Sequence, residues 1–384
     1  MKKTALAAAL AALPALSFAA APSTEEMWTI IQQQQQEIER LKQEQAEADA
    51  KLNATADAVE QSAGIASWAS KTTLGGYGEH HFNHFKNGDD QVDAHRFVLF
   101  IGHQFSDTVR FFSELEVEHG IAGEGQPGEV ELEQAYIAWD FTQGHTLTMG
   151  QFLVPMGIIN ETHEPDTFYG VERNNVEKNI IPATWWETGV MVNGEIAPGL
   201  NYNVALHSGL KIDPAGGAVR GGRQKSAKAT AEDLAYTARL SYNGVPGLEL
   251  AAAVQQQQDI SQGATGGGEA TLYEAHARYR IGDLTLTALA AQWDIDGDSF
   301  AAAGTDKQDG NYIEASYKVT PKLGVFVRQS EWDNAANSAV DTEVEQFDIG
   351  LNYWLMPTVV LKADIADTRN SNKDAVNLGI GWSF

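Results

Sequence analysis

The sequence predicts an all-β fold: a 16-stranded antiparallel transmembrane β-barrel preceded by a short N-terminal α-helical coiled coil. Three observations predict it. After Gly64 apolar and polar residues alternate with a period of two, the signature of strands with one greasy and one wet face. The alternating segments number sixteen, an even count that closes an antiparallel barrel without edges. Their connections alternate between short and long, as in barrels with tight turns at one rim and loops at the other. Beyond the first twenty residues no apolar run approaches the roughly 20 residues of a membrane-crossing helix. Helical spans are therefore not expected, although 43% of the 384 residues are hydrophobic.

From the amino terminus, Lys2 and Lys3 precede an Ala/Leu core from Leu6 to Leu16 and the small-residue site Ser17-Phe18-Ala19. This order reads as a secretory signal peptide over residues 1–21, cleaved after Ala19 or Ala21. Pro22-Ser23-Thr24 followed by Glu25 and Glu26 then marks a helix start, because acidic groups favour the positive end of the helix dipole. A heptad places Thr24, Ile31, Ile38, Gln45, Leu52 and Val59 at one seam position, with Met27, Gln34, Leu41, Ala48 and Thr55 at the other. Residues 22–64 are thus expected to form a periplasmic coiled-coil helix, whose Gln and Thr seam residues leave the number of strands unset. Residues 65–384 form the barrel domain.

The period-two pattern is clear from Val109 to His119, where Val109, Phe111, Leu115 and Val117 share one face and Arg110, Glu114, Glu116 and Glu118 the other. Leu234, Tyr236, Ala238 and Leu240 repeat the apolar face against Thr237, Arg239 and Ser241. Tyr273, Ala275, Ala277 and Tyr279 do so against Glu274, His276, Arg278 and Arg280. The predicted strands are 72–85, 93–105, 108–119, 129–140, 145–153, 186–197, 200–209, 232–243, 247–259, 271–281, 283–293, 310–319, 322–332, 343–354, 357–367 and 375–384. Gly144, Pro198-Gly199, Pro246-Gly247, Gly282-Asp283, Pro321-Lys322 and Met356-Pro357 fill tight turns, whereas 211–231, 260–270 and 294–309 are long and polar. The last segment alternates Val376, Leu378, Ile380, Trp382 and Phe384 with small or polar residues and ends on an aromatic, as outer-membrane proteins do.

Charge and composition exclude other classes. A net charge of -26 disfavours nucleic acid as a partner. There is no cysteine for thiolate chemistry and no Gly-x-Ser-x-Gly elbow, so no catalytic set is expected. In the run Glu79-His80-His81-Phe82-Asn83-His84, His80 and His84 share a strand face about 13 Å apart, too far to share an ion. Neither a metal nor a cofactor is expected.

Four stretches carry a family resemblance: Arg96 to His103 (RFVLFIGH), Phe111 to Glu116 (FFSELE), Gly128 to Tyr136 (GEVELEQAY) and Gly150 to Gly157 (GQFLVPMG). Together with Asn160-Glu-Thr-His-Glu-Pro165 and Tyr169-Gly-Val-Glu-Arg173, they resemble the phosphate-selective porin O and P family. The resemblance spans roughly residues 72–384. It implies a homotrimer of sixteen-stranded barrels in the outer membrane of a Gram-negative bacterium, each with its own pore. It also implies an arginine ladder and constriction lysines that replace the hydration of an oxyanion. The inward positions Arg96, Arg110, Arg239, Arg278, Arg280 and Arg328 make a partial basic track, against which stand Glu114, Glu116 and Glu118. The helix before the barrel is similar in arrangement to that of sugar-specific porins.

The long connection 154–185 is the expected constriction loop, with Glu161, His163, Glu164, Asp166, Glu172, Arg173, Glu177 and Lys178 as its charged residues. Charges of both signs suit a transverse field; the alternative is a loop packed over the wall by Phe168, Tyr169, Trp185 and Trp186. The basic stretch with Lys211, Arg220, Arg223, Lys225 and Lys228 is placed at the outer mouth, where it attracts anions, binds lipopolysaccharide phosphates or is solvated. The expected function is passive diffusion of small hydrophilic solutes or ions, phosphate and other anions included. A coiled-coil tether to the cell wall and a sugar-specific porin are the alternatives.

Overall fold

The structure is a computed structural model that describes residues 23–214, 217–371 and 373–384. The expected signal peptide, 1–21, lies outside the described residues. The chain divides into two compact units, a helical one and a barrel.

In the first unit, helix α1 spans Thr24–Ser70. Gly64 does not end it: one Gly costs about 1 kcal/mol in a helix interior, and the Ala-rich residues around it carry the helix on to Ser70. The periodicity therefore changes six residues later than expected. Side chains of Ile31, Ile38, Leu41, Leu52 and Val59 are exposed on the single chain, leaving the heptad seam uncovered.

The second unit is a closed barrel of sixteen strands. They are β1 Thr72–Phe85, β2 Gln91–Gln104, β3 Val109–Glu118, β4 Val130–Thr142, β5 His145–Leu153, β6 Trp186–Ala197, β7 Leu200–His207 and β8 Ala235–Tyr242. The second half comprises β9 Leu248–Gln257, β10 Ala270–Ile281, β11 Leu284–Ile295, β12 Lys307–Thr320, β13 Leu323–Asp333, β14 Val344–Met356, β15 Val359–Arg369 and β16 Ala375–Ser383. Every expected strand is present, and the fold class is the one the sequence predicts. Each strand pairs antiparallel with its sequence neighbours, and β1 closes on β16 from Tyr77 opposite Ser383 to Phe85 opposite Ala375. Closure satisfies the backbone of the first and last strands, as a lipid-embedded sheet requires.

The pleat sorts side chains by medium. On β10 Tyr273 faces out and is exposed, whereas Glu274 and His276 face in and are buried. The outward face is an apolar band, with Leu115, Leu132, Val190, Val204, Leu240, Leu286, Ile313, Val327, Ile349 and Ile365 among its exposed residues. Near the short-turn rim Phe105, Phe141, Tyr279, Tyr317, Tyr353 and Phe384 are exposed, the aromatic girdle of a barrel at a membrane interface.

The interior is not uniformly polar. The loop after β5, residues 154–185, folds into the lumen with a short helix, α2 (Asn175–Asn179). Its Val154, Met156, Val176, Ile180, Ile181 and Trp185 pack with inward Leu272, Leu289 and Trp293 of β10 and β11. Helix α3 (Asp298–Ala303) adds Phe300 to this cluster, and the loop between β7 and β8 adds Leu210, Ile212 and Val219. One flank of the lumen is therefore a dry core, and water is left to the rest of the cross-section.

Candidate functional site

The loop 154–185 is held inside the barrel by buried polar contacts at both ends and along its length. At its base Asn160 donates to the carbonyls of Val154 (2.7 Å) and Trp185 (3.0 Å) and accepts from the Trp185 amide (2.6 Å). Glu177, expected at the constriction, is instead fully buried. One of its oxygens accepts from the amides of Ile158 (2.8 Å) and Ile159 (2.6 Å), the other from the Tyr312 hydroxyl (2.7 Å). It is a staple, so it is removed from the lining set. Gly157 allows this approach, because its φ of 72° is left-handed and a Cβ there would lie 2.8 Å from the Glu177 carboxylate.

The loop then crosses to the far wall. Asn174 caps α2 and donates to Ser330 of β13 (3.1 Å), Asn175 donates to Gln346 of β14 (2.7 Å), and the Val171 amide donates to Asp364 of β15 (2.6 Å). Asp166 accepts from Ser383 (2.8 Å), and Pro165 lies so close to Gly381 that a Cβ there would come within 2.4 Å. Glu172 meets His81 (3.0 Å) and Asn83 (3.1 Å) of β1. Burial alone would raise the Glu172 carboxyl; the His81 bond overrides it and holds it well below the usual carboxylate range. Of the three histidines in that run only His81 turns inward, with Asn83 and with Glu79, to which it is bonded at 3.0 Å; exposed His80 stacks on Trp382.

The crossing separates two wet spaces. At the short-turn side is a cavity of about 700 Å3 lined by Arg278, Arg280, Arg328, Glu249, Glu314 and Tyr169, among others. At the long-loop side is one of about 210 Å3. Its lining brings together Arg96, Arg173, Lys178, Arg220, Arg223 and Lys225 with Glu79, Glu118, Glu131 and Glu172.

Arg220, Arg223 and Lys225 were expected at the outer mouth, and the structure corrects that placement. Arg220 donates to the carbonyls of Lys178 (2.8 Å) and Ala183, and Arg223 donates to that of Thr184, all three on the constriction loop. Lys225 reaches Glu129 (2.5 Å) and Glu131 on the wall or its edge. Of the five basic residues in that stretch only Lys211 and Lys228 are exposed. Burial presses the guanidinium of Arg220 below its ordinary pKa, with Arg223 and Arg173 adding like charge; burial also lowers Lys178, against the pull of Glu172.

The remaining expected lining residues all face inward, mostly in pairs. Arg96 bonds Glu79 (2.7 Å) and lies 3.5 Å from Glu116, Arg110 bonds Asp140 (2.7 Å), and Arg328 bonds Asp348 (3.0 Å) and Glu314 (3.2 Å). Arg239 pairs with Glu161 of the loop, and Arg278 is 3.9 Å from Glu249. Glu118 joins the smaller cavity and Arg280 the larger. Glu164 is half-buried, whereas His163 is buried against Glu114 (3.4 Å) and Glu133 (3.5 Å). Glu133 is inward because β4 bulges there: Glu114 pairs with Gln134 and Leu115 with Leu132, leaving Glu133 as the extra residue.

A closed sixteen-stranded barrel, apolar outside and narrowed within by its third long loop, defines an outer-membrane channel for small solutes. The chain belongs to the Gram-negative porin family, which it matches over residues 53–373. It is 27% identical over 365 residues to an uncharacterized protein of Aquifex aeolicus, covering 84% of each chain. Among solved structures it is similar in fold to Salmonella typhi OmpF in complex with daunomycin, with a TM-score of 0.59 and 14% identity over 82% of this chain and 97% of that one. The anion-selective porin of Comamonas acidovorans is similar too, with a TM-score of 0.58 and 14% identity over 82% of this chain and 99% of that one.

Proposed function

We propose that this channel passes small anions in preference to cations, phosphate and carboxylates among them, and that it works as a homotrimer. One observation carries the selectivity: Arg173, Lys178, Arg220 and Arg223 line the smaller cavity, and among the described residues no carboxylate is in ion-pair contact with any of the four. The chain as a whole is acidic, but a charge farther away than about 8–10 Å is screened in physiological salt, so the local surplus sets the preference. Guanidiniums exchange the hydration of an oxyanion for directed hydrogen bonds. The resemblance to phosphate-selective porins implies the same chemistry, and the Comamonas acidovorans porin of similar fold is anion-selective. For assembly, the support is the uncovered heptad seam of α1 at Ile31, Ile38, Leu41 and Leu52, which three parallel helices would bury.

Purified protein in a planar bilayer with a KCl gradient tests both parts. Conductance in triplet steps and a reversal potential of anion-selective sign are expected. Arg220→Ala with Arg223→Ala should lower the anion-to-cation permeability ratio several-fold. A cation-selective wild type, or a ratio unmoved by the double change, would sink the assignment.

A further inference from the structure

The geometry points to a divalent transition-metal site, for an ion of Zn2+ type, formed by Glu114, Glu133 and His163 where the constriction loop meets the wall. One donor atom of each lies within 4.8 Å of the others. The His163 Nε2 stands 3.4 Å from a Glu114 oxygen and 3.5 Å from a Glu133 oxygen. Ligand atoms at 2.0–2.1 Å around a tetrahedral ion are about 3.3–3.4 Å apart, so a small inward settling supplies three of the four ligands and leaves the fourth position to water.

The atoms facing this point lack hydrogen-bond partners. Glu114 Oε1, Glu133 Oε2 and His163 Nε2 are buried and, apart from their approaches of 3.4 and 3.5 Å to one another, make no hydrogen bond. Glu114 and Glu133 are each 1% exposed and His163 3%, so water from the lumen does not satisfy them. His163 Nδ1 lies 3.1 Å from the Asn160 carbonyl; donating its proton there leaves Nε2 as a lone pair aimed at the two carboxylates, the usual support of a metal-bound histidine. Gln134 likewise fixes the other Glu114 oxygen at 2.7 Å.

Charge argues in the same direction. Arg96, bonded to Glu79 at 2.7 Å, reaches Glu116 at 3.5 Å, which leaves the buried Glu114 and Glu133 with no guanidinium in ion-pair contact among the described residues. A dication offsets the surplus that burial makes costly. A nitrogen with two oxygens selects a transition metal over calcium or magnesium, which take oxygen-only shells. The competing occupant is a proton. Burial and the Arg173 charge disfavour it on His163, but the two carboxylates outweigh both and raise the pKa to about 10. The neighbouring groups His81-His95-Glu172 and Asp93-His95-His119 differ, because bonds of 2.8–3.0 Å within each region already pair His81, His95 and His119 with carboxylates. The bound ion would tie the loop to β3 and β4.

Full-length folded protein, stripped with a chelator in detergent and titrated with Co2+, tests this. One equivalent per chain should bind with the visible absorption of a four-coordinate nitrogen-oxygen site and be displaced by Zn2+. His163→Ala and the near-isosteric Glu133→Gln should each weaken binding about tenfold or more. Heat-resistant migration of both variants as folded barrels would separate loss of a ligand from loss of the fold. Two results overturn the proposal: no uptake by the wild type, as for a site filled by an imidazolium alone, or an equivalent that persists unchanged in both variants.

Discussion

Glu172 is bonded to His81 across 91 residues of sequence, and its carboxyl titrates below the ordinary range. A folded-state pKa under the unfolded one means that the contribution is complete above the usual carboxylate pKa and fades as pH falls toward the folded value. The loop should therefore stay anchored from pH 7 to about 4, where an ordinary carboxylate is already half protonated. Single-channel conductance followed down the pH scale checks this, with wild type steady through that range and Glu172→Gln noisier at every pH. Glu177 makes a different prediction, because its work is hydrogen bonding. Glu177→Ala leaves the amides of Ile158 and Ile159 without their acceptor, at about 1–3 kcal/mol for each buried orphan. Proteolysis within 154–185 should appear for that variant, whereas Glu177→Gln, which keeps one carbonyl oxygen for the amides, should largely resist.

At the scale of elements, the strands were legible and the internal loops only half so. Period two is a local property, readable within ten residues, and each expected strand end falls within three residues of the observed one. The loop 154–185 showed itself by length and charge, but the division of labour inside it did not. Glu177 and Arg173 are both charged in sequence; partners far away on the chain, Tyr312 for Glu177 among them, decide which is buried and which faces water. The inward turn of Arg220 and Arg223 left no trace, because both bond to backbone carbonyls, which every residue has. One signal was available: Leu272, Leu289 and Trp293 are apolar on faces that a wet lumen would make polar. Trp293 is fully buried and donates to the Ile180 carbonyl at 2.8 Å, tying the loop to β11. Trp293→Ala should cost about 3–5 kcal/mol in that packed cluster. Because the ladder of strands is untouched, the expected readout is a larger, flickering conductance with β-sheet circular dichroism retained.

For the molecule as a whole, the decisive fact is which side of the sheet meets lipid, and adjacent residues of one strand can test it. Val327 and Arg328 are neighbours on β13: Val327 is exposed on the apolar band, whereas Arg328 is buried inside between Asp348 and Glu314. Alternation alone fits a soluble sandwich as well as a membrane barrel, since both have one wet and one dry face. The two differ in where a new charge is tolerated. Val327→Arg puts an unpaired guanidinium against hydrocarbon and should destabilise the barrel by about 2–4 kcal/mol near the bilayer midplane. Thr285→Arg, which points into the cavity of about 700 Å3 beside Arg278 and Arg280, meets water and should change stability little while raising anion preference. Urea-dependent folding into phosphatidylcholine vesicles measures the first effect, and reversal potential the second. If both substitutions cost the same, or if Val327→Arg is neutral, then the greasy face does not contact lipid and the channel reading fails with it.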